Sequence, residues 1–206
     1  MKNFIRDILV MIAVVLTLPA WLPVRLARLV RSSDDIFATC AEIMSMFPGA
    51  VGVYLRRGFY WVCLERCARD CSIGFGTWLS HPEVCIGKHV YIGGRCTIGK
   101  AEIGDDVLIG SNVDILSGRH QHHDGEDGGP RWKQGGTFSK VRIGANAWIG
   151  NSAVIMADVG AGSIVGAGSV VVKPVPPQTV ACGNPAVVKK SVGAGPADGK
   201  KPGQME

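Results

Sequence analysis

A beat of aliphatic–glycine pairs dominates the second half of this chain. Ile-Gly begins at Ile73, Ile86, Ile92, Ile98, Ile103, Ile109, Ile143 and Ile149, at intervals of 13, 6, 6, 5, 6, 34 and 6 residues. Val165-Gly166 and Val171 keep the same step. A period of six matches neither the 3.6 of an amphipathic helix nor the 2 of a half-buried strand. It is the period of a parallel β-helix, in which each hexapeptide supplies one short strand and one turn. The aliphatic residue points into a three-sided prism. The small residue after it lets the chain turn where a side chain would collide. Three hexapeptides close one coil, and each coil hydrogen-bonds to the next, so the domain is a stack. The repeat also accounts for 28 glycines in 206 residues, about twice the ordinary usage of about 7%. No Gly-X-Y period is present, which excludes collagen.

Two irregularities interrupt the beat. The five-residue unit from Ile98 predicts a shortened turn. Between Ile109 and Ile143, one unit at Ile115 is followed by SGRHQHHDGEDGGPRWKQGGTFSK, rich in Gly, His and charge and off the beat. This segment, 117–140, must leave the prism as a loop. Long loops in compact domains are uncommon and tend to carry function.

Before the repeat the sequence has another character. Residues 8–23 are one apolar run broken only by Thr17, preceded by Arg6 and Asp7 and followed by Arg25, Arg28 and Arg31. The run is short of the roughly 20 residues a spanning helix needs, and Pro19 and Pro23 interrupt it. A spanning helix, a signal peptide with a cut after Ala20, and a segment lying in one leaflet with arginines on anionic headgroups all fit. Attachment without cleavage is the expectation. Ser33 is a candidate N-cap for a helix ending before Pro48-Gly49. In the helix-like stretch after it, Tyr54, Phe59, Tyr60 and Trp61 stand beside Arg56 and Arg57, a mixture that suits either a lipid interface or packing over the end of the main domain.

Net charge is +5, from 22 basic and 17 acidic residues, with the basic ones gathered near the ends; no nucleic-acid face is expected. The seven cysteines include no CxxC pair. Cys63, Cys67 and Cys71 are four apart, one face if helical, but the spacing matches no metal-ligand framework. They read as small buried residues in a reducing compartment. The expected organisation is all-β: residues 1–70 a helical, membrane-associated region, 71–188 the β-helix, and 189–206 a disordered tail of Gly, Pro and Lys.

Three pieces carry a family resemblance: VLIGSNVDILSGRH at 107–120, VRIGANAWIGNSAVIMADVGAGSIVGAGSVVVK at 141–173, and ACGNPAVVKK at 181–190. With these the chain resembles the hexapeptide-repeat acyltransferases, the left-handed parallel β-helix group of galactoside, maltose and serine O-acetyltransferases. The resemblance implies a homotrimer with acetyl-CoA in the cleft between neighbouring prisms and no metal. It implies a catalytic histidine on the projecting loop, at His120, with His122 and His123 as rivals. It implies Asn151, Ala167, Lys173 and Lys190 along the CoA cleft, with Trp148 either walling that cleft or packing between prisms. Val172 replaces a common threonine, and Val187 a common basic residue. MADVGAG is two residues shorter than the familiar pattern, which tightens one corner. His81 and His89 read as structural or solvent-facing.

Chemistry supports the histidine independently. An alcohol attacking a thioester needs a base near neutral pH, and imidazole serves. The expected activity is acetyl transfer to a sugar hydroxyl of a membrane-linked or surface glycan. Because acetyl-CoA is cytosolic, the prism is expected on the cytoplasmic face of the cell membrane, as positive-inside placement of the arginines also suggests. Alternatives are a membrane-tethered scaffold without catalysis and a zinc-dependent carbonic anhydrase on the same prism.

Overall fold

The computed structural model describes residues 2–29, 34–118 and 136–193. His120, His122 and His123, the Ser33 cap and residues 194–206 lie outside these.

The repeat folds as a parallel β-helix of three faces, here called A, B and C. Cys67, Ile73 and Leu79 are the inward rungs of the first coil, on faces A, B and C in turn. Ile86, Ile92 and Ile98 form the second coil, Ile103, Ile109 and Ile115 the third, and Ile143, Ile149 and Ile155 the fourth. Val159, Val165 and Val171 form the fifth, and Val175 and Ala181 begin a sixth. Direct register between coils stacks these rungs on one another along all three faces. No rung is more than 8% exposed, so the prism interior is a continuous aliphatic ladder. On face B the last parallel strand, Thr179–Cys182, is covered by the antiparallel strand Val187–Ser191.

The step from face A to B and from B to C is six residues in every coil. The step from C back to A is seven, five, twenty-eight, four and four residues along the stack. All irregularity therefore sits on one edge. The five-residue unit after Ile98 and the tightened MADVGAG corner both fall there, as the sequence predicts. At ten of the other corners the third residue after the rung has φ between +55° and +73° (Asn112, Asn146 and Gly168 among them). Three of the ten are glycine, which takes this left-handed conformation without steric cost, and seven are not, His89, Arg95 and Gln178 among them. The glycine directly after the rung has a different duty. A Cβ on Gly93 would lie 2.6 Å from the carbonyl carbon and oxygen of Gly110 in the next coil.

Four helices cap the first coil: α1 Lys2–Leu16, α2 Leu18–Leu29, α3 Asp34–Ser45 and α4 Gly49–Cys63. Because α4 ends at Cys63 and the first strand is Arg66–Cys67, the β-helix begins a few residues before position 71. Its first rung is a cysteine without a following glycine, which hides it from the beat. For the same reason Cys63, Cys67 and Cys71 do not share a helical face. The last two belong to the first coil, buried, with their sulfurs 3.6 Å apart.

The arginines and aromatics of α4 serve packing. Phe59 and Tyr60 are fully buried, with Phe37 stacked 6.0 Å from Phe59. Arg56, also fully buried, donates to the carbonyls of Phe47 (2.7 Å), Met44 (3.2 Å) and Ile73 (2.9 Å). It thus closes the C-terminal end of α3 and bolts it to the first coil. Arg57 donates to the Cys71 carbonyl at 2.6 Å. Burial pushes the Tyr60 hydroxyl far above its usual range, and pushes the Cys63 thiol up to about 12.

The outer side of α1 and α2 differs. Phe4, Ile8, Met11, Val15, Leu22 and Leu26 are exposed, Val15 by 68%. The chain bends by 70° between α1 and α2, and among the described residues no single helix is long and apolar enough to cross a membrane. At the bend Thr17 donates its hydroxyl to the Ala13 carbonyl (2.7 Å), and the Trp21 indole donates to that of Val14 (2.8 Å). These bonds satisfy carbonyls at the break before Pro19.

Candidate active site

Two cavities flank face C, one on each edge. The first lies at the B–C edge between the fourth and fifth coils, about 350 Å³, lined by Trp148, Asn151, Ile164, Gly166 and Ala167 with Gly150 and Val165 behind. Trp148 immediately precedes a rung, so it faces outward, and it is 50% exposed. The Oδ1 of Asn151 accepts from the Ser111 N–H at 2.9 Å, which fixes the amide and turns its NH₂ outward. Ala167 stands in the left-handed turn that precedes Gly168, whose N–H bonds to the Asn151 carbonyl at 2.8 Å. Ala167 itself is exposed and lines the cavity.

Three of the expected CoA-cleft residues are thus brought together. Lys190 joins them by register. Trp148 pairs with Ile164, Ile164 with Val180, and Val180 with Lys190, one outward column on face B. Lys190 is exposed and stands three strand spacings, roughly 14 Å, from Trp148. Lys173 is not part of this group within one chain. It is exposed on the opposite edge of face C, between Val171 and Val175.

The second cavity, about 320 Å³, lies on face C where the long excursion leaves and rejoins the prism. The neck of that excursion is closed by a bond from the Ser139 N–H to the Ser117 carbonyl at 3.0 Å. Lys140 anchors the returning strand through Glu65 at 3.0 Å, a contact that holds the Glu65 carboxyl below its usual range. His120 is the third residue after Ser117 in the chain. The cavity is lined by Trp78, Thr97, Asp114 and Val154 from the strands, by Ser80 and His81 from the first coil, and by Ser117 and Phe138 from the neck.

His81 is half-buried at the rim of this cavity. Its Nδ1 is 2.8 Å from the Ser80 hydroxyl, its ring is 5.9 Å from that of Phe138, and it faces this cavity. His89 does behave as a structural residue, bridging Asp106 at 3.0 Å and Asp70 at 3.2 Å. The outward column Trp78–Thr97–Asp114–Val154 escapes the sequence reading altogether. Its signal is there: each member directly precedes a face C rung. Among the described residues no three His, Cys, Asp or Glu side chains converge as a metal site would require.

A family profile described as the hexapeptide repeat of succinyl-transferase matches residues 83–117 and 140–173. Serine acetyltransferase of Mycobacterium tuberculosis is 34% identical over 170 residues, 78% of this chain and 69% of that protein. Galactoside O-acetyltransferase of Escherichia coli K12 is 34% identical over 135 residues; the match spans 59% of this chain and 64% of the relative's length. Among solved structures, a maltose O-acetyltransferase from Clostridium difficile 630 superposes with a TM-score of 0.67 at 25% identity, covering 76% of this chain and 84% of that one. A galactoside acetyltransferase in complex with coenzyme A gives 0.67 at 26% identity, over 77% of this chain and 80% of that one. The coil geometry, the repeat and these relatives agree: the chain belongs to the hexapeptide-repeat acyltransferase family.

Proposed function

We propose that the protein is an acetyl-CoA-dependent O-acetyltransferase acting on a saccharide hydroxyl, with His120 as general base and a homotrimer as the working unit. The carrying observation is the cavity at the B–C edge. It gathers Trp148, Asn151 and Ala167, with the Lys190 cation in register on the same face. A thioester arm needs an apolar wall and backbone donors, and its nucleotide phosphates need a cation. In the reaction His120 removes the proton as the acceptor oxygen attacks the thioester carbonyl carbon. The tetrahedral oxyanion then collapses, the C–S bond breaks, and the imidazolium returns its proton to the departing thiolate. The products are an acetyl ester and CoA. General-base help of this kind is worth about 10²–10⁴-fold.

The trimer is supported by how the faces divide. On face A the outward column carries Arg66, Glu102 and Arg142, linked by ion pairs, with Cys85 buried between the first two. Face B instead exposes Tyr91, Leu108 and Trp148, each nearly half exposed, an apolar column suited to another copy. The exposed apolar side of α1 and α2, with Arg25 exposed beside it, supports placement on the cytoplasmic face of a membrane, lying in one leaflet.

The test is acetyl-CoA-dependent release of CoA with saccharides, alongside calorimetry of CoA binding. We expect the His120→Ala variant to bind CoA normally and to lose at least a hundredfold in kcat. Full activity in that variant removes the histidine from the mechanism. Absence of CoA binding by the parent favours the scaffold, and stoichiometric zinc favours the hydratase. Flotation with anionic vesicles, lost on Val15→Glu, tests the membrane placement.

A further inference from the structure

The exposed apolar surface of the helical cap does not stop at α1 and α2. At the corner between α3 and α4, Ile43, Met46, Phe47 and Val51 are also exposed, Met46 by 73% and Val51 by 70%. A groove of about 240 Å³ joins the two regions. Leu9, Ile12 and Leu16 of α1 line one side of it, and Ala50, Val51 and Leu55 of α4 the other. Apolar surface this continuous marks a contact with something apolar.

Shape and charge say what it meets. At the bend between α1 and α2, Thr17 is buried and Trp21 packs against the core, while Val15, Leu16 and Leu18 stand exposed on the outer side. The bend is thus a convex corner, which suits a fluid leaflet better than the flat reciprocal face of a second copy. Its limbs are 15 and 12 residues long and are bent by 70°. With both outer ends at the surface, the apex reaches about 11 Å deep, within the roughly 15 Å of hydrocarbon in one leaflet. Spanning suits the bent pair poorly. Val10, Ala13, Val24 and Ala27 bury its inner side against the cap, and a span would draw the exposed Asp35 and Glu42 of α3 toward hydrocarbon. Arg6 and Asp7 pair with each other at 3.7 Å. At the far end of α2, Arg25 and Arg28 are exposed, with Arg28 donating to the Cys63 carbonyl at 2.7 Å. Cations at this rim complement anionic headgroups. Glu42, four residues before Met46, bounds the apolar corner.

Resting on the reading that α1 and α2 lie in one leaflet, we propose that the bend and the α3–α4 corner enter that leaflet of an anionic phospholipid bilayer side by side, as a wedge whose two ends return to the same side. The β-helix then stands on the bilayer by its first coil.

The test uses the full chain and sealed vesicles of phosphatidylcholine with or without phosphatidylglycerol. We expect flotation with the mixed vesicles and weaker flotation with phosphatidylcholine alone. Met46→Glu, at a side chain open to solvent, weakens partitioning by about tenfold, the scale of one buried aliphatic side chain lost, and leaves the circular dichroism unchanged. Depth is read with phospholipids brominated at mid-chain. Tryptophans added by Leu18→Trp and Met46→Trp are quenched beyond the parent, and one added by Glu42→Trp is not. A peptide tag fused ahead of Met1 is cleaved by protease added outside the vesicles. Flotation of the parent without quenching at position 46, or with Met46→Glu floating equally well, overturns the wedge and leaves α1 and α2 lying flat. A tag protected from protease overturns it in favour of a span. A parent that floats with neither vesicle, or that instead forms dimers that Met46→Glu dissolves, overturns the wedge and the membrane placement together.

Discussion

Two glycine-to-alanine substitutions separate the two duties of glycine in this repeat. In Gly93→Ala the new methyl lies 2.6 Å from the Gly110 carbonyl carbon and oxygen and from the Ser111 nitrogen. Ordinary contact needs about 3.5–4.0 Å, so the second and third coils must part by about 1 Å. Those coils are clamped there by Gly93 N–H to Ile109 O at 2.8 Å and Asn112 N–H to Gly94 O at 2.9 Å. Parting them weakens both bonds, at about 0.5–1.5 kcal/mol each, on top of an overpacking cost of about 1–3 kcal/mol. The expected loss is about 2–6 kcal/mol. In Gly168→Ala the new methyl meets nothing within 4 Å, and only the φ of +67° is unfavourable, at about 1–2 kcal/mol. Urea unfolding by circular dichroism measures both, with m compared to confirm that the same unit unfolds. The reasoning is refuted if Gly93→Ala is no more destabilised than Gly168→Ala, because then coil contact does not explain the glycine after each rung.

Arg56→Met should cost about 3 kcal/mol or more in the same assay, since it strands buried carbonyls at the end of α3 and on Ile73. Arg56→Lys should not restore it, because a single ammonium cannot serve a fork of acceptors. Stability should also decline on the alkaline side. Cys63 and Tyr60 are both held neutral by burial, with folded pKa values raised above the unfolded ones. Their contribution is complete below the unfolded thiol value near pH 9 and is lost as pH rises toward the Cys63 value of about 12. Across that window Cys63 removes about 1.4 kcal/mol per pH unit, and Tyr60 adds its own loss only above its unfolded value near pH 10. Urea midpoints at pH 8, 9.5 and 10.5 check this, and a flat profile contradicts it.

The rungs that carry isoleucine before glycine are legible in the sequence because their period is set by local turn geometry. Cys67, Leu79, Val159 and Val175 are not, for two reasons. Cys67 and Leu79 keep the six-residue step but lack a following glycine, and Val159 and Val175 come after four-residue steps that shift the phase. The B–C cavity is legible through resemblance, since Trp148, Asn151 and Ala167 fall within two adjoining repeats. Trp78, Thr97 and Asp114 touch one another only because of coil lengths that the variable edge decides, so no local motif announces them. Arg56, Arg57, Phe59 and Tyr60 show a further limit. The same mixture suits headgroups or a helix end, and only the partner, here the Met44, Phe47 and Ile73 carbonyls, decides.

Confining every change of chain length to one edge leaves the other two free of re-phasing. A segment of any size can be exchanged at that edge while each rung keeps its level, since the following coil re-enters at face A regardless of the detour. The cavity at the foot of the excursion opens on this edge, whereas the B–C cavity sits on an edge of fixed six-residue steps. One cavity is thereby tied to the architecture, and the other is rimmed by a replaceable segment. Transplanting residues 118–139 between relatives should leave the stack standing.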